Sequence, residues 1–383
     1  MKKTGLTLIV FTLMNFVVSM TSLVFNGILD KVAMSLNITV ANTGLLNTMY
    51  SYGAALGVPI ILIVFRKIER TKMLKSTLFI TILSTVALIY SQGFGQLLIA
   101  RLVMGVTVNS YWVLAISTVM SLSDKDKQGR TMAFLIMGAS LSLVIGVPLT
   151  RALTSYFDWR VVFWILNIIM IISLVYFMIF LPNGKDEATE LNLRNEMKYF
   201  RDGNTRVVII YTFIMFFGYI AFYTYVTPYI LELFPSFESS MSLVLVALGV
   251  ASFVGNWLGG RACDRMGYSK SLTIGAVAQL TISIMLIVFQ PYKWLSLISI
   301  ILLIMSSWFT GVQTNTGIAQ VTENKSSFMI SINSSAFQLG SAIGSSLAAI
   351  AIPISGMRSI VYITMISYVL ITVLQIVSNR KYS

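Results

Sequence analysis

The chain contains no histidine and a single cysteine, Cys263, in 383 residues. The first absence excludes histidine acid–base catalysis, imidazole metal ligation and histidine proton relays. The second excludes an intramolecular disulfide. Charge is also scarce. Asp, Glu, Lys and Arg make up 11% of the chain, against about 25% in an ordinary soluble domain. Acids are the scarcer sign, with 14 carboxylates against 27 Lys and Arg. No G-x-x-x-x-G-K-[ST] loop is present to cradle ATP phosphates, and no metal-ligand spacing occurs. Neither an enzyme nor a cofactor is therefore expected.

What fills the space is apolar sequence: 56% of residues are hydrophobic and mean hydropathy is +0.83. Most of the length falls into runs near 20 residues, the length of helix that crosses a hydrocarbon core of roughly 30 Å. Hydrocarbon offers no hydrogen-bond partners, so such runs must be helical. Twelve spans are predicted at 4–29, 43–65, 76–91, 96–122, 131–150, 161–182, 207–231, 240–260, 271–290, 294–318, 327–354 and 359–378. The fold class expected is an all-α polytopic membrane protein. The first run, Thr4 to Leu29, is too long for a signal-peptide core and reads as the first span. In a soluble protein a net charge of +13 would suggest nucleic acid. Here the positive charge falls between spans, so the bilayer is the expected partner and nucleic acid is not.

Charge also sets an orientation. With both termini inside, 21 Lys and Arg fall on the inner side and 5 on the outer, Lys31, Arg151, Arg160, Lys293 and Arg358. Arg101 alone falls within a span. That asymmetry favours cytoplasmic termini in the cell membrane. The longest polar stretch, Asn183 to Asp202, separates spans six and seven. The expected division is a six-helix bundle over 1–182, a central cytoplasmic loop over 183–206 and a second six-helix bundle over 207–383. A faint internal echo supports duplicated halves. G-V-P-I-I-L-I-V-F-R-K-I-E-R-T-K at Gly57 to Lys72 aligns without gaps with G-N-W-L-G-G-R-A-C-D-R-M-G-Y-S-K at Gly255 to Lys270, matching at the end glycines and lysines.

Several stretches resemble the major facilitator superfamily, and in particular its bacterial drug/proton antiporter branch of arabinose-efflux-type permeases. The likeness runs along essentially the whole chain. G-N-W-L-G-G-R-A-C-D-R-M-G is similar to the family loop signature G-N-x-x-G-G-R-x-x-D-R. L-L-I-A-R-L-V-M-G in span four is similar to R-x-x-x-G. G-A-S-L-S-L-V-I-G-V-P-L in span five is similar to the antiporter signature, and D-W-R-V-V-F-W at Asp158 to Trp164 to the opening of span six. The resemblance implies two pseudo-symmetric halves that alternate access to a solute held near the midplane. It implies gating or coupling roles for Arg101, Gly146, Pro148, Asp264 and Arg265, and it implies a monomer and proton antiport. Two departures stand out. In the first-half loop the aspartate position is Arg66 and the late glycine is Glu69. Span one lacks the acid many relatives place near Thr21 and Ser22; Asp30 stands at its outer end instead, a candidate proton site or outer gate.

Polar stripes mark candidate substrate positions. In span one Thr12, Asn15, Ser19, Ser22 and Asn26 recur at steps of 3, 4, 3 and 4, which places them on one helical face. Span four adds Asn109 and Trp112, span seven Tyr219 and Tyr223, and span ten Gln313 and Asn315. The competing reading of the same residues is interhelical hydrogen bonding. A neutral, polar and aromatic lining without a buried acid suits sugars, nucleosides or amphipathic drugs. The function expected is secondary active export of such a small-molecule solute by alternating access, coupled to protons. An importer or facilitator on the same fold, a non-transporting membrane sensor and a lipid translocase remain alternatives.

Overall fold

The computed structural model describes residues 2–64, 68–123, 128–181, 198–322 and 326–382. Arg66 lies outside these residues, as does most of the expected central loop. Among the described residues there is no strand. The helices are α1 (Lys2–Leu36), α2 (Val40–Val64), α3 (Arg70–Tyr90), α4 (Phe94–Leu122), α5 (Gln128–Leu141), α6 (Val147–Leu153), α7 (Arg160–Phe180), α8 (Gly203–Tyr223), α9 (Val226–Leu233), α10 (Met241–Val288), α11 (Lys293–Val321), α12 (Ser327–Ser355) and α13 (Ser359–Tyr382).

Among the described residues, ten helical segments are long and apolar enough to cross a membrane. α2, and the division of α10 at Gly267 into two limbs, bring the spans to the twelve expected. Gly267 has φ 79° and ψ 164°, a left-handed φ that favours glycine. It separates the eighth span from the ninth. α5 and α6 form one span joined by a π-turn, Ser142–Gly146, with Pro148 just beyond. Proline lacks an N–H and its ring clashes with the carbonyl four residues back. The widened turn is where the helix absorbs both defects.

The chain divides into two compact units, Met1–Asn37 with Met49–Glu190, and Ile38–Thr48 with Leu191–Ser383. The first turns of α2 thus belong with the second unit and the rest with the first. Within each unit, glycines let helix backbones meet. Gly57 lies against Val106 of α4, and Gly255 against the Met305 backbone of α11. The two glycines matched in the internal echo therefore do the same work, seating the second span of each half on the fourth. Gly340 and Gly344 of α12 seat likewise on the Phe213 and Phe217 carbonyls of α8.

Candidate functional site

In the first unit, Arg101 is fully buried on α4. A charge in that setting demands acceptors. Its Nη1 donates to the Thr21 carbonyl at 2.6 Å and Nη2 to the Ser22 carbonyl at 3.4 Å. Its guanidinium lies over the Phe25 ring at 4.9 Å and the Tyr50 ring at 4.6 Å. Two helix-one carbonyls and two aromatic faces thus receive the cation. Asn109, two turns along α4, is half-buried and donates to the Tyr50 hydroxyl at 3.1 Å and to its own Gly105 carbonyl at 3.1 Å. Trp112 is half-buried on the same helix.

Asp30 forms an ion pair with Arg151 of α6. Its two oxygens accept from Arg151 Nη1 at 2.6 and 2.7 Å. Arg151 is 2% exposed and Asp30 17%. Arg151 also reaches the Gly27 carbonyl at 3.4 Å, beside the break in α1 at Ile28 (φ −138°, ψ 18°). Lys31 instead donates to Ser155 at 3.0 Å. This corrects the sequence reading of Arg151 as a loop cation and of Arg101 as the lone charge within a span. The fifth span runs to Leu153, past its expected end at 150, and carries Arg151 inward with it.

The stripe on α1 divides. Ser19 and Ser22 are half-buried, while Asn15 is fully buried and Asn26 nearly so. Asn15 Nδ2 donates to the Leu135 carbonyl of α5 at 3.3 Å, so in this structure it ties two helices rather than lining open space. Its Oδ1 has no hydrogen-bond partner among the described residues. Gly138 of α5 packs against α1 at Thr12 and Phe16, and Gly146 against Met20. Gly146 and Pro148 thus sit at the close α1–α5 contact around the π-turn.

In the second unit the aromatic groups gather. Tyr219 and Tyr223 stack, with ring centroids 5.2 Å apart and planes at 16°. Trp308 of α11 donates to the Tyr219 hydroxyl at 2.9 Å. Phe216 meets Phe337 of α12 edge to face at 4.1 Å. Tyr219 and Tyr223 are buried, but Phe216, Trp308 and Phe337 keep part of their surface open. Gln313 is fully buried and donates to the Gly259 carbonyl of α10 at 3.0 Å, so here it too is a helix–helix tie. Asn315 is exposed and turns its amide to the Gly311 carbonyl at 3.2 Å. Asp264 and Arg265 are exposed beside Gly267, without an ion pair among the described residues. Glu69 of the first-half loop pairs with Lys72 at 3.4 Å.

Two functional candidates escaped the sequence reading. Arg151 is one. The other is Tyr225, between α8 and α9, fully buried with its ring end against Gly44 and its hydroxyl donating to the Ala41 carbonyl at 3.0 Å. Nearby, Thr48 and Ser345 hydroxyls share a hydrogen bond of 2.8 Å. No sequence signal pairs residues so far apart. No group of three or more Cys, Asp or Glu capable of holding a metal occurs among the described residues.

The family model for the Major Facilitator Superfamily matches residues 11–324. The chain belongs to that superfamily. It is similar to the Bacillus subtilis (strain 168) protein YbcL, an uncharacterized MFS-type transporter, at 26% identity over 355 residues, covering 92% of this chain and 90% of that one. A Helicobacter pylori relative called a probable sugar efflux transporter is 23% identical over 347 residues, covering 90% and 87%. Among solved structures, the xylose transporter XylE from E. coli in a partially occluded inward-open conformation matches 97% of both chains with a TM-score of 0.74 and 15% identity, a likeness of fold alone. The chain is thus an all-α, multi-pass membrane transporter of the major facilitator fold.

Proposed function

We propose that this transporter exports a small neutral polar solute, sugar-like in its chemistry, by alternating access and in exchange for protons. It acts in the cell membrane as a monomer with both termini in the cytoplasm. The observation that carries the solute class is the partly open aromatic group of Phe216, Trp308 and Phe337, beside the Trp308–Tyr219 hydrogen bond. Flat apolar ring faces with a few fixed polar groups suit a ring-shaped, hydroxyl-bearing solute. In the first unit, considered by itself, Asn109, Trp112, Ser19 and Ser22 are also half-buried. The description of a Helicobacter pylori relative as a probable sugar efflux transporter points the same way. The 21-to-5 distribution of Lys and Arg supports the orientation. Asp30 is the coupling carboxylate in this reading: an acid of the first span held at a break in α1 by a buried arginine.

The test is uptake and counterflow in proteoliposomes with an imposed pH gradient, over a panel of sugars, nucleosides and lipophilic cations. Gradient-driven accumulation of a neutral sugar or nucleoside, absent in Asp30→Asn, is the expected result. Transport that ignores the gradient in the parent and in Asp30→Asn alike refutes proton exchange. Selective movement of lipophilic cations refutes the neutral solute.

A further inference from the structure

One cavity lies wholly within the first unit and takes no part in the groups above. It is a groove of about 470 Å³ between α3 and α4, inside the range of roughly 300–1,000 Å³ that small ligands occupy. Small side chains, Ser84 and Ala100, are buried at its floor, and Ile80, Leu83 and Ile99 stand exposed along its walls. Apart from Ser84, whose hydroxyl donates to the Thr81 carbonyl at 3.0 Å, the polar lining gathers at one end, where Tyr90, Ser91 and Gln96 close the α3–α4 hairpin. From Ile80 to Ser91 the helix rises roughly 16 Å at 1.5 Å per residue, about half of a hydrocarbon core of roughly 30 Å. The groove is one leaflet long, apolar toward the membrane centre and polar at its far end.

The depth of that polar end is marked independently. Tyr90 and Trp164 meet edge to face at 5.9 Å, and both are exposed. Exposed Tyr and Trp on a spanning surface sit at the headgroup level. Arg160 is anchored at the same end by hydrogen bonds to the Ile89 carbonyl at 3.1 Å and the Ser91 carbonyl at 3.5 Å. Asp158 stands 3.5 Å from its guanidinium, and the side chain remains 28% exposed. A fixed, partly exposed guanidinium complements a phosphate.

We propose that this groove is a binding site for one glycerophospholipid, with an acyl chain along Ile80, Leu83 and Ile99 and the headgroup phosphate at the Gln96–Arg160 end. A slot between protruding side chains takes an unbranched chain. The full-length protein, purified in detergent micelles, is given a trace of phospholipid carrying a photoactivatable group on one acyl chain. It is then irradiated, and adducts are mapped by mass spectrometry. Adducts between residues 80 and 103 are expected to exceed those on the exposed α7 face at Ile168 and Ile172 several-fold and to fall when unlabelled phospholipid is added. Ala87→Trp, at an exposed position in the groove, should lower the groove adducts several-fold and leave those on α7 unchanged. Equal labelling of groove and α7 in the parent protein overturns the proposal, with no variant needed. So does a groove signal indifferent to Ala87→Trp, or cross-links from the groove to a second copy.

Discussion

Removal of either member of the Asp30–Arg151 pair should destabilise the first unit, by unequal amounts. Breaking a buried ion pair by deleting one partner costs about 3–5 kcal/mol, because the survivor is a buried charge without its counterion. Arg151 is 2% exposed, so Asp30→Asn leaves a cation that water does not reach. The asparagine oxygen and the Gly27 carbonyl still accept hydrogen bonds, which places the loss near the lower limit, about 3 kcal/mol. In Arg151→Met the survivor is Asp30, 17% exposed and near the end of its span, where hydration limits the loss to about 1–2 kcal/mol. The double variant Asp30→Asn/Arg151→Met removes both charges and should recover part of the sum, with a coupling energy on the order of 1–3 kcal/mol. Reversible unfolding of the purified protein in mixed detergent micelles, followed by tryptophan fluorescence, measures all four corners of the cycle. Single losses within about 0.5 kcal/mol of the parent, or losses that simply add, would refute the claim that the pair joins α1 to α6.

Arg101→Lys keeps the charge but loses the fork that reaches the Thr21 and Ser22 carbonyls together. Transport should fall about tenfold or more, with near-parental protein yield, in the proteoliposome assay. Trp308→Ala removes a half-open ring and leaves the Tyr219 hydroxyl without its donor. The apparent affinity for the transported solute should weaken by about tenfold, and by less in Trp308→Phe, as read from competition curves. Gly344→Leu drives a side chain into the Phe217 backbone and should cost about 1–3 kcal/mol in the same unfolding assay, whereas Ser334→Leu, at an exposed position of α12, should cost little.

The fold was legible because a membrane removes most of the usual ambiguity. Once hydrocarbon forbids unpaired backbone, a run near 20 apolar residues has one structure open to it. Span ends were less legible, because polar residues belong to helices beyond the apolar core. The fifth span continues through Thr150 and Arg151 to Leu153, and α1 runs on through Asp30 and Lys31 to Leu36. A hydropathy window stops where charge begins. It therefore discards an ionised pair whose two members satisfy one another, and Arg151 was assigned to a loop for that reason. The identical glycines of the internal echo, Gly57 and Gly255, kept their letter because both lie where a second span meets a fourth.

The candidate site was legible only as a set of faces. Period 3.6 places Asn15, Ser19, Ser22 and Asn26 on one side of α1, but it does not say whether that side meets water or another helix. α5 answers for Asn15, because Gly138 brings the two backbones close enough for Leu135 to accept its amide. The same geometry answers for Gln313, which reaches the Gly259 carbonyl where glycine lets α10 approach α11. A large amide beside a neighbour's glycine is thus drawn into the helix contact, whereas Trp112 and Trp308 stay half-buried. This division sharpens the coupling test. Arg151→Met keeps the Asp30 carboxylate and loses only its counterion, whereas Asp30→Asn loses the carboxylate itself. If Asp30 carries the proton, the pH gradient should still drive transport in Arg151→Met at a reduced rate and should not drive it in Asp30→Asn. Equal loss of gradient dependence in both variants, with both proteins folded, would make the pair a structural clasp and move the proton site elsewhere.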